Sequence, residues 1–331
     1  MTSTINWLLV GAGDIAGKRV AEALANTEGS HLRAVCDMVP ERARDVARTY
    51  GVGVVYTDFQ EALGDGSVDA VYVATPVYLH SEMAIQAIKA GKHVLVEKPL
   101  GLDCNDAQDI VQVAESSGLT CACAYFRRLY SRYAMLTDMI QRQRLGEIVL
   151  VRMAYYSWFD PGVEDPKYWR VVREKSGGGP LADMGSHMFD VLIGLFGLPV
   201  KLSASNITAC RNWDVEDGSV SIMRLAGGGQ ITASFNWSSR TWIHMFEVVG
   251  TEGRVLWQPY DTGPVVRTMG RSVTEFDMPP SKNVHQPLIE DFIASVSEGR
   301  QPACPISEAA MTNRLIDAIY RSASTHREVA I

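Results

Sequence analysis

The chain of 331 residues is 47% hydrophobic and 21% charged, with 28 Gly and 14 Pro spread along it, a composition that excludes disorder, collagen-like repeats and coiled coils. Its length suits two domains of ordinary size. A formal net charge of -7 supplies no basic field, which argues against nucleic acid or an anionic membrane as partner and for a small molecule.

The leading residues MTSTINWLLVGAGD carry neither a basic region nor a long apolar segment, so a cytoplasmic location is expected rather than secretion. No apolar run approaches the roughly 20 residues that a membrane span needs. From Asn6 to about Ala124, short apolar runs alternate with helical patterns: Trp7 to Val10, Leu32 to Cys36, Val54 to Tyr56, Val68 to Ala74, His93 to Val96 and Thr120 to Ala124. Several are near-continuous, as in parallel strands buried on both faces. Between them, Met83, Ala84, Ile85, Ala87 and Ile88 fit a buried helix face within Ser81 to Ala90, with Gly91 as its stop. The alternation predicts a doubly wound parallel sheet, a Rossmann domain over residues 1–124.

After about residue 125 the texture changes, and residues 125–331 read as a second, α+β domain with a large, open, mostly antiparallel sheet. Ile148 to Tyr156 is a strand. Gly218 to Leu225 and Gln230 to Trp237 flank the turn Ala226 to Gly229, and Phe246 to Val249 pairs with Arg254 to Trp257 through Gly250 to Gly253. A long apolar helix is expected near Gly179 to Phe196 and another over 305–324, packing back near the first domain. Six cysteines (Cys36, Cys104, Cys121, Cys123, Cys210, Cys304) form no C-x-x-C pair. They read as reduced, mostly buried small hydrophobes, and no metal site is expected.

The segment GAGDIA (Gly11 to Ala16) follows the first strand and opens a helix, which is the context that a dinucleotide-binding turn requires. Gly11 permits the tight turn, Gly13 lets the backbone approach a pyrophosphate, and Ala16 allows close helix packing. Free amides and the helix dipole then hold the phosphates. Asp37, 24 residues beyond Gly13, stands after the second strand, where a carboxylate accepts from ribose hydroxyls and repels a 2′-phosphate. NAD(H) is therefore favoured over NADP(H), a preference that Arg33 and Arg42 soften.

The tripeptide EKP (Glu97 to Pro99) follows the fifth strand, at the carboxyl edge where such sheets bind ligands. In GGGPLADMGSHMFD (Gly177 to Asp190), Asp183, His187 and Asp190 fall at i, i+4 and i+7 on one helix face. Leu181, Met184, Met188, Val191 and Leu195 form an apolar stripe. The bland alternative is the wet side of an amphipathic helix.

The sequence resembles the glucose-fructose oxidoreductase and inositol dehydrogenase family (Gfo/Idh/MocA) over essentially its whole length. The resemblance rests on the GAGDIA turn, TPVYLH (Thr75 to His80), AGKHVLVEKPL (Ala90 to Leu100), the GGG-x-L-x-D-x-G-x-H run, VVGTEG (Val248 to Gly253) and AIYRSA (Ala318 to Ala323). It departs at Val77, where many members carry Asn. The resemblance implies Lys98, Asp183 and His187 as catalytic residues. It sets Gly11, Gly13, Asp14, Ile15 and Asp37 beside the cofactor, together with Thr75, Pro76, His80, Glu97 and Lys98. It also implies an open sheet with a substrate site on one face and a homodimer or homotetramer interface on the other.

The chemistry expected is hydride transfer between a nicotinamide and a secondary hydroxyl, or ketone, of a sugar, glycoside or cyclitol. His187 suits the proton role near neutrality, Lys98 binds the reacting oxygen, and Asp183 orients His187 or a neighbouring hydroxyl. Lys98 and His187 can exchange these roles. Tyr125, Arg127, Arg128, Tyr155, Trp158, Tyr168, Trp169, Arg170, Trp237 and Trp242 offer aromatic faces and donors to a pyranose ring. Tyr125, Arg128, Trp158 and Trp169 are the substrate candidates. His93 and His244 read as structural, as does His80 apart from its motif. Two rivals remain: a redox-neutral glycoside hydrolase with tightly held NAD, and a non-catalytic sensor, against which the full Lys98, Asp183 and His187 set argues.

Overall fold

The structure, a computed structural model, describes residues 4–331. They form two compact units. The first contains the chain up to Gly101, then Asn105–Leu129 and Ser281–Ala310; the second contains Leu102–Cys104, Tyr130–Pro280 and Met311–Ile331. The division thus differs from a single boundary at 124/125, because residues 281–310 return to the first unit. There the helix Gln286–Glu298 lays Phe292 against Trp7, ring centroids 5.0 Å apart. Burying one such ring contributes about 1.5–3 kcal/mol. The Cys123 N–H donates to the Cys304 carbonyl at 3.1 Å, tying the end of the segment to a sheet strand. The last long helix, Ile306–Thr325, has its opening residues in the first unit and the remainder in the second.

The first unit is built on six parallel strands: β1 (Ile5–Val10), β2 (Ser30–Cys36), β3 (Val54–Tyr56), β4 (Ala70–Val73), β5 (His93–Val96) and β6 (Cys121–Cys123). Their spatial order is β3-β2-β1-β4-β5-β6. This is the doubly wound order whose direction reverses between β1 and β4, opening a crevice at the carboxyl ends of the strands. Every residue of β4 is buried, as expected for a strand covered on both faces.

The second unit carries a nine-stranded sheet. Its strands are β7 (Ile148–Trp158), β8 (Lys201–Ile207), β9 (Gly218–Arg224), β10 (Gln230–Asn236), β11 (Ser238–Gly250), β12 (Gly253–Trp257), β13 (Val265–Met269), β14 (Ser272–Phe276) and β15 (Val329–Ala330). All pairings are antiparallel except that of β7 with β10, which places Met153 beside Ala233 in a parallel register. Both predicted hairpins form, β9 with β10 and β11 with β12. Side chains of β9 alternate between buried and exposed, so one face meets the core and the other does not. On the core face the helix Ser186–Phe196 packs Phe189 edge-on against Phe235 of β10.

Candidate active site

In the first unit, the turn after β1 lies at the strand-order reversal. Gly11 has φ +88°, and a Cβ there would stand 2.8 Å from the Ala74 carbonyl, so only glycine fits. Gly13 has open space where its Cβ would be, which leaves room for a phosphate against the backbone. The Asp37 carboxylate is buried and accepts the Ala12 N–H at 2.7 Å and the Val39 N–H at 2.8 Å. It therefore fixes the glycine turn. At the tip of β4 the Thr75 hydroxyl is buried without a hydrogen-bond partner among the described residues, an orphan of the kind a bound molecule satisfies. These features fit a dinucleotide. Ile15 is half-buried, whereas Asp14 is exposed and ion-paired with Lys18 at 2.7 Å.

Lys98 is half-buried just past β5. The two residues flanking it are held from within the first unit. His80 is buried with Nδ1 2.8 Å from the Pro99 carbonyl and Nε2 2.9 Å from the Thr75 carbonyl. It thereby joins Thr75 to the strap that carries Lys98. Burial pushes the His80 pKa down against the pull of those carbonyls, and a neutral ring can donate to only one of them. Glu97, expected beside the cofactor, turns its carboxylate into the interior, where Tyr72 Oη donates to it at 2.9 Å and His285 Nε2 lies 3.2 Å away. Burial raises the Glu97 pKa, but the bonds from His285 and Tyr72 and the nearby Lys98 charge prevail and hold it below its ordinary value.

In the second unit, Leu181–Gly185 forms a π-helical turn that runs into the helix Ser186–Phe196. The wider turn inserts a residue into the helical ladder, as such turns commonly do at functional sites. Asp183 lies in that turn, and His187 and Asp190 lie in the helix that follows. The three do not form a wet side: His187 is 6% exposed and Asp190 is fully buried, while Asp183 is half-buried.

The start of this helix is seated by a residue that motif reading missed. Glu216, buried between β8 and β9, accepts the Gly179 N–H at 3.0 Å and the Leu181 N–H at 3.2 Å through Oε1, and Tyr320 Oη donates to Oε2 at 3.0 Å. Burial pushes the Glu216 carboxyl above its ordinary value, in spite of these bonds. The glycines are required here because a Cβ on Gly178 would collide with the Tyr320 hydroxyl and one on Gly179 with the Glu216 carbonyl. A visible signal was the acid pair Glu216 and Asp217 leading into a strand, where an apolar environment is expected.

Of the substrate candidates, Tyr125 and Arg128 are buried in the first unit, Arg128 in an ion pair with Glu308. Trp158 and Trp169 belong to the second. Trp158 is exposed, with the guanidinium carbons of Arg211 and Arg240 4.2 and 3.9 Å from its ring centroid. Arg170 lies over Trp169 at 4.5 Å. Trp237 is buried against Phe159 and Trp213 and serves the core. His244 is likewise buried, among Tyr155 and Tyr260.

Residues 5–125 match the oxidoreductase family with the NAD-binding Rossmann fold, and residues 133–256 match the GFO/IDH/MocA C-terminal domain. The 1,5-anhydro-D-fructose reductase of Ensifer adhaerens is 28% identical over 333 residues, covering 98% of each chain. The inositol 2-dehydrogenase of Rhizobium meliloti (strain 1021) is 26% identical over 339 residues, covering 99% of each. The solved aldose-aldose oxidoreductase from Caulobacter crescentus, complexed with glycerol, shares the fold with a TM-score of 0.91 at 24% identity, over 99% of this chain and 100% of that one. The chain belongs to the Gfo/Idh/MocA oxidoreductase family, with its NAD-binding Rossmann domain and its characteristic C-terminal domain.

Proposed function

We propose that this protein moves hydride between NAD(H) and a ring carbon of a sugar, glycoside or cyclitol that carries a secondary hydroxyl or ketone. When bound, the nicotinamide supplies the hydride acceptor or donor. His187 exchanges the hydroxyl proton, Lys98 hydrogen-bonds the reacting oxygen, and Asp183 orients the imidazole or a neighbouring hydroxyl. The observation that carries the reading is the burial of the ionisable His187 on a helix whose start Glu216 holds, in a chain of this family. An anhydrosugar and a cyclitol are named for the two full-length relatives above, which supports that substrate class.

Asp37 supports NAD(H) over NADP(H), since a carboxylate offers no partner to a 2′-phosphate. Arg33 donates to Ser67 at 2.9 Å, which occupies one of the cations able to offset that preference. For Cys36 and Cys121, burial pushes the thiols up to about 12, so they stay protonated. A homodimer or homotetramer through the second sheet is supported by the exposed Val220 and Ile222 on one face of β9, and sedimentation gives its size. The reading is tested by following NADH absorbance with a panel of free sugars, methyl glycosides, anhydrosugars and inositols with NAD, and their keto forms with NADH. Turnover of one stereochemical class supports it; a silent panel with folded, NADH-binding protein overturns it.

A further inference from the structure

We propose that His285 is a positioning residue for Lys98, acting through the buried Glu97 carboxylate; the inference rests on the role given to Lys98 above. His285 lies far from every motif in the chain, at the start of the helix Gln286–Glu298. It is fully buried, and its Nε2 is 3.2 Å from Glu97 Oε1. Its other nitrogen, Nδ1, has no hydrogen-bond partner among the described residues. Holding Glu97 is thus the polar task of this side chain, and the Nε2–H tautomer performs it.

Glu97 passes the constraint on. Its Oε1 also accepts the Tyr72 hydroxyl at 2.9 Å, while its Oε2 accepts the backbone N–H of Lys98 itself at 3.2 Å. The carboxylate therefore fixes the peptide from which the Lys98 side chain departs. Were the carboxylate released, that peptide would lose a charge-assisted hydrogen bond in a partly buried setting, where such bonds hold geometry better than in open water. Productive hydride transfer tolerates only small displacement of the group on the reacting oxygen. The clip is anchored in turn. Asn283 Oδ1 accepts the His285 N–H at 3.0 Å, and Asn283 Nδ2 donates to the Arg19 carbonyl at 2.8 Å and to Glu22 at 2.9 Å. Arg19 and Glu22 belong to the helix that follows the glycine turn. One short segment thereby ties the dinucleotide helix to the Lys98 strap.

The test is a double-mutant cycle of His285→Phe with Lys98→Ala, read as kcat, sugar KM and NADH affinity by fluorescence. The probes are myo-inositol with NAD and 1,5-anhydro-D-fructose with NADH. His285→Phe is expected to lower kcat about 10-fold or more, with sugar KM and NADH Kd within about 3-fold, and His285→Gln to restore most of the loss. In the Lys98→Ala background the same change is expected to cost less than about 2-fold, because the residue it positions is gone. An equal loss in both backgrounds, or a normal kcat in folded His285→Phe, overturns the proposal. A fast Lys98→Ala instead overturns the role of Lys98.

Two measurements cover the remaining cases. If His285→Phe does not fold, Tyr72→Phe replaces it in the same cycle. If neither sugar turns over, competitive acetylation of lysines read by peptide mass spectrometry decides. The Lys98 rate is expected to rise about 3-fold or more in the variant relative to exposed Lys18, since a released side chain reacts more freely. An unchanged Lys98 rate contradicts the proposal.

Discussion

The Glu216 carboxylate accepts the backbone N–H of Gly179 at 3.0 Å, in the turn from which the His187 helix starts. A buried acid so placed satisfies amides that a helix start leaves open. It also forces the backbone close, and this is why the turn is built of glycine.

Gly179→Ala tests that closeness. The added methyl meets the Glu216 carbonyl, an overpacking that costs about 1–3 kcal/mol. Urea denaturation should show a midpoint lowered accordingly, and turnover should fall with it as the helix start shifts. A midpoint equal to that of the wild type would show that the turn is loose.

The pH dependence of stability tests the burial of Glu216. Its pKa is raised on folding. The stability it contributes is therefore fully present below the ordinary carboxylate pKa of about 4.3 and is lost as pH rises through the folded value. Glu216→Gln keeps an acceptor for the two amides and removes the charge. The Tm of the variant relative to wild type should climb as pH rises above about 4.3, by about 2–4 °C for each ~1 kcal/mol. A constant or falling difference would contradict this account.

Asp37→Ser addresses cofactor choice. The change removes the carboxylate that holds the Ala12 and Val39 amides and the charge that opposes a 2′-phosphate. NADH should bind about 10-fold more weakly, a loss of about 1.4 kcal/mol, while the NADPH to NADH affinity ratio rises. Fluorescence titration of both cofactors gives the answer, and a wild type that already prefers NADPH would refute the argument.

Much of this molecule can be read from local pattern. Strands β3 and β5 form over Val54–Tyr56 and His93–Val96, residue for residue as their short apolar runs between turn residues predict. The parallel pairing of β7 with β10 was not legible, since neither strand records which distant strand lies beside it. The return of the helix Gln286–Glu298 to Trp7 was hidden for the same reason. The motifs singled out Lys98, Asp183 and His187, but not the carboxylate bonded to the Lys98 peptide or the one that seats the start of the His187 helix. Glu97 turned inward, His285 carries no motif, and Asp190 is buried rather than wet. Such roles arise only when the fold brings polar groups of remote segments into one dry interior.

We infer that Lys98 and His187 perform the proton and oxygen chemistry of hydride transfer. The most direct measurement is steady-state turnover, followed at the NADH absorbance, of Lys98→Ala and His187→Ala on the sugar that the panel selects, with NADH affinity titrated alongside. Each variant is expected to lose about 100-fold or more in kcat while NADH affinity persists. Near-normal turnover in both variants would contradict it.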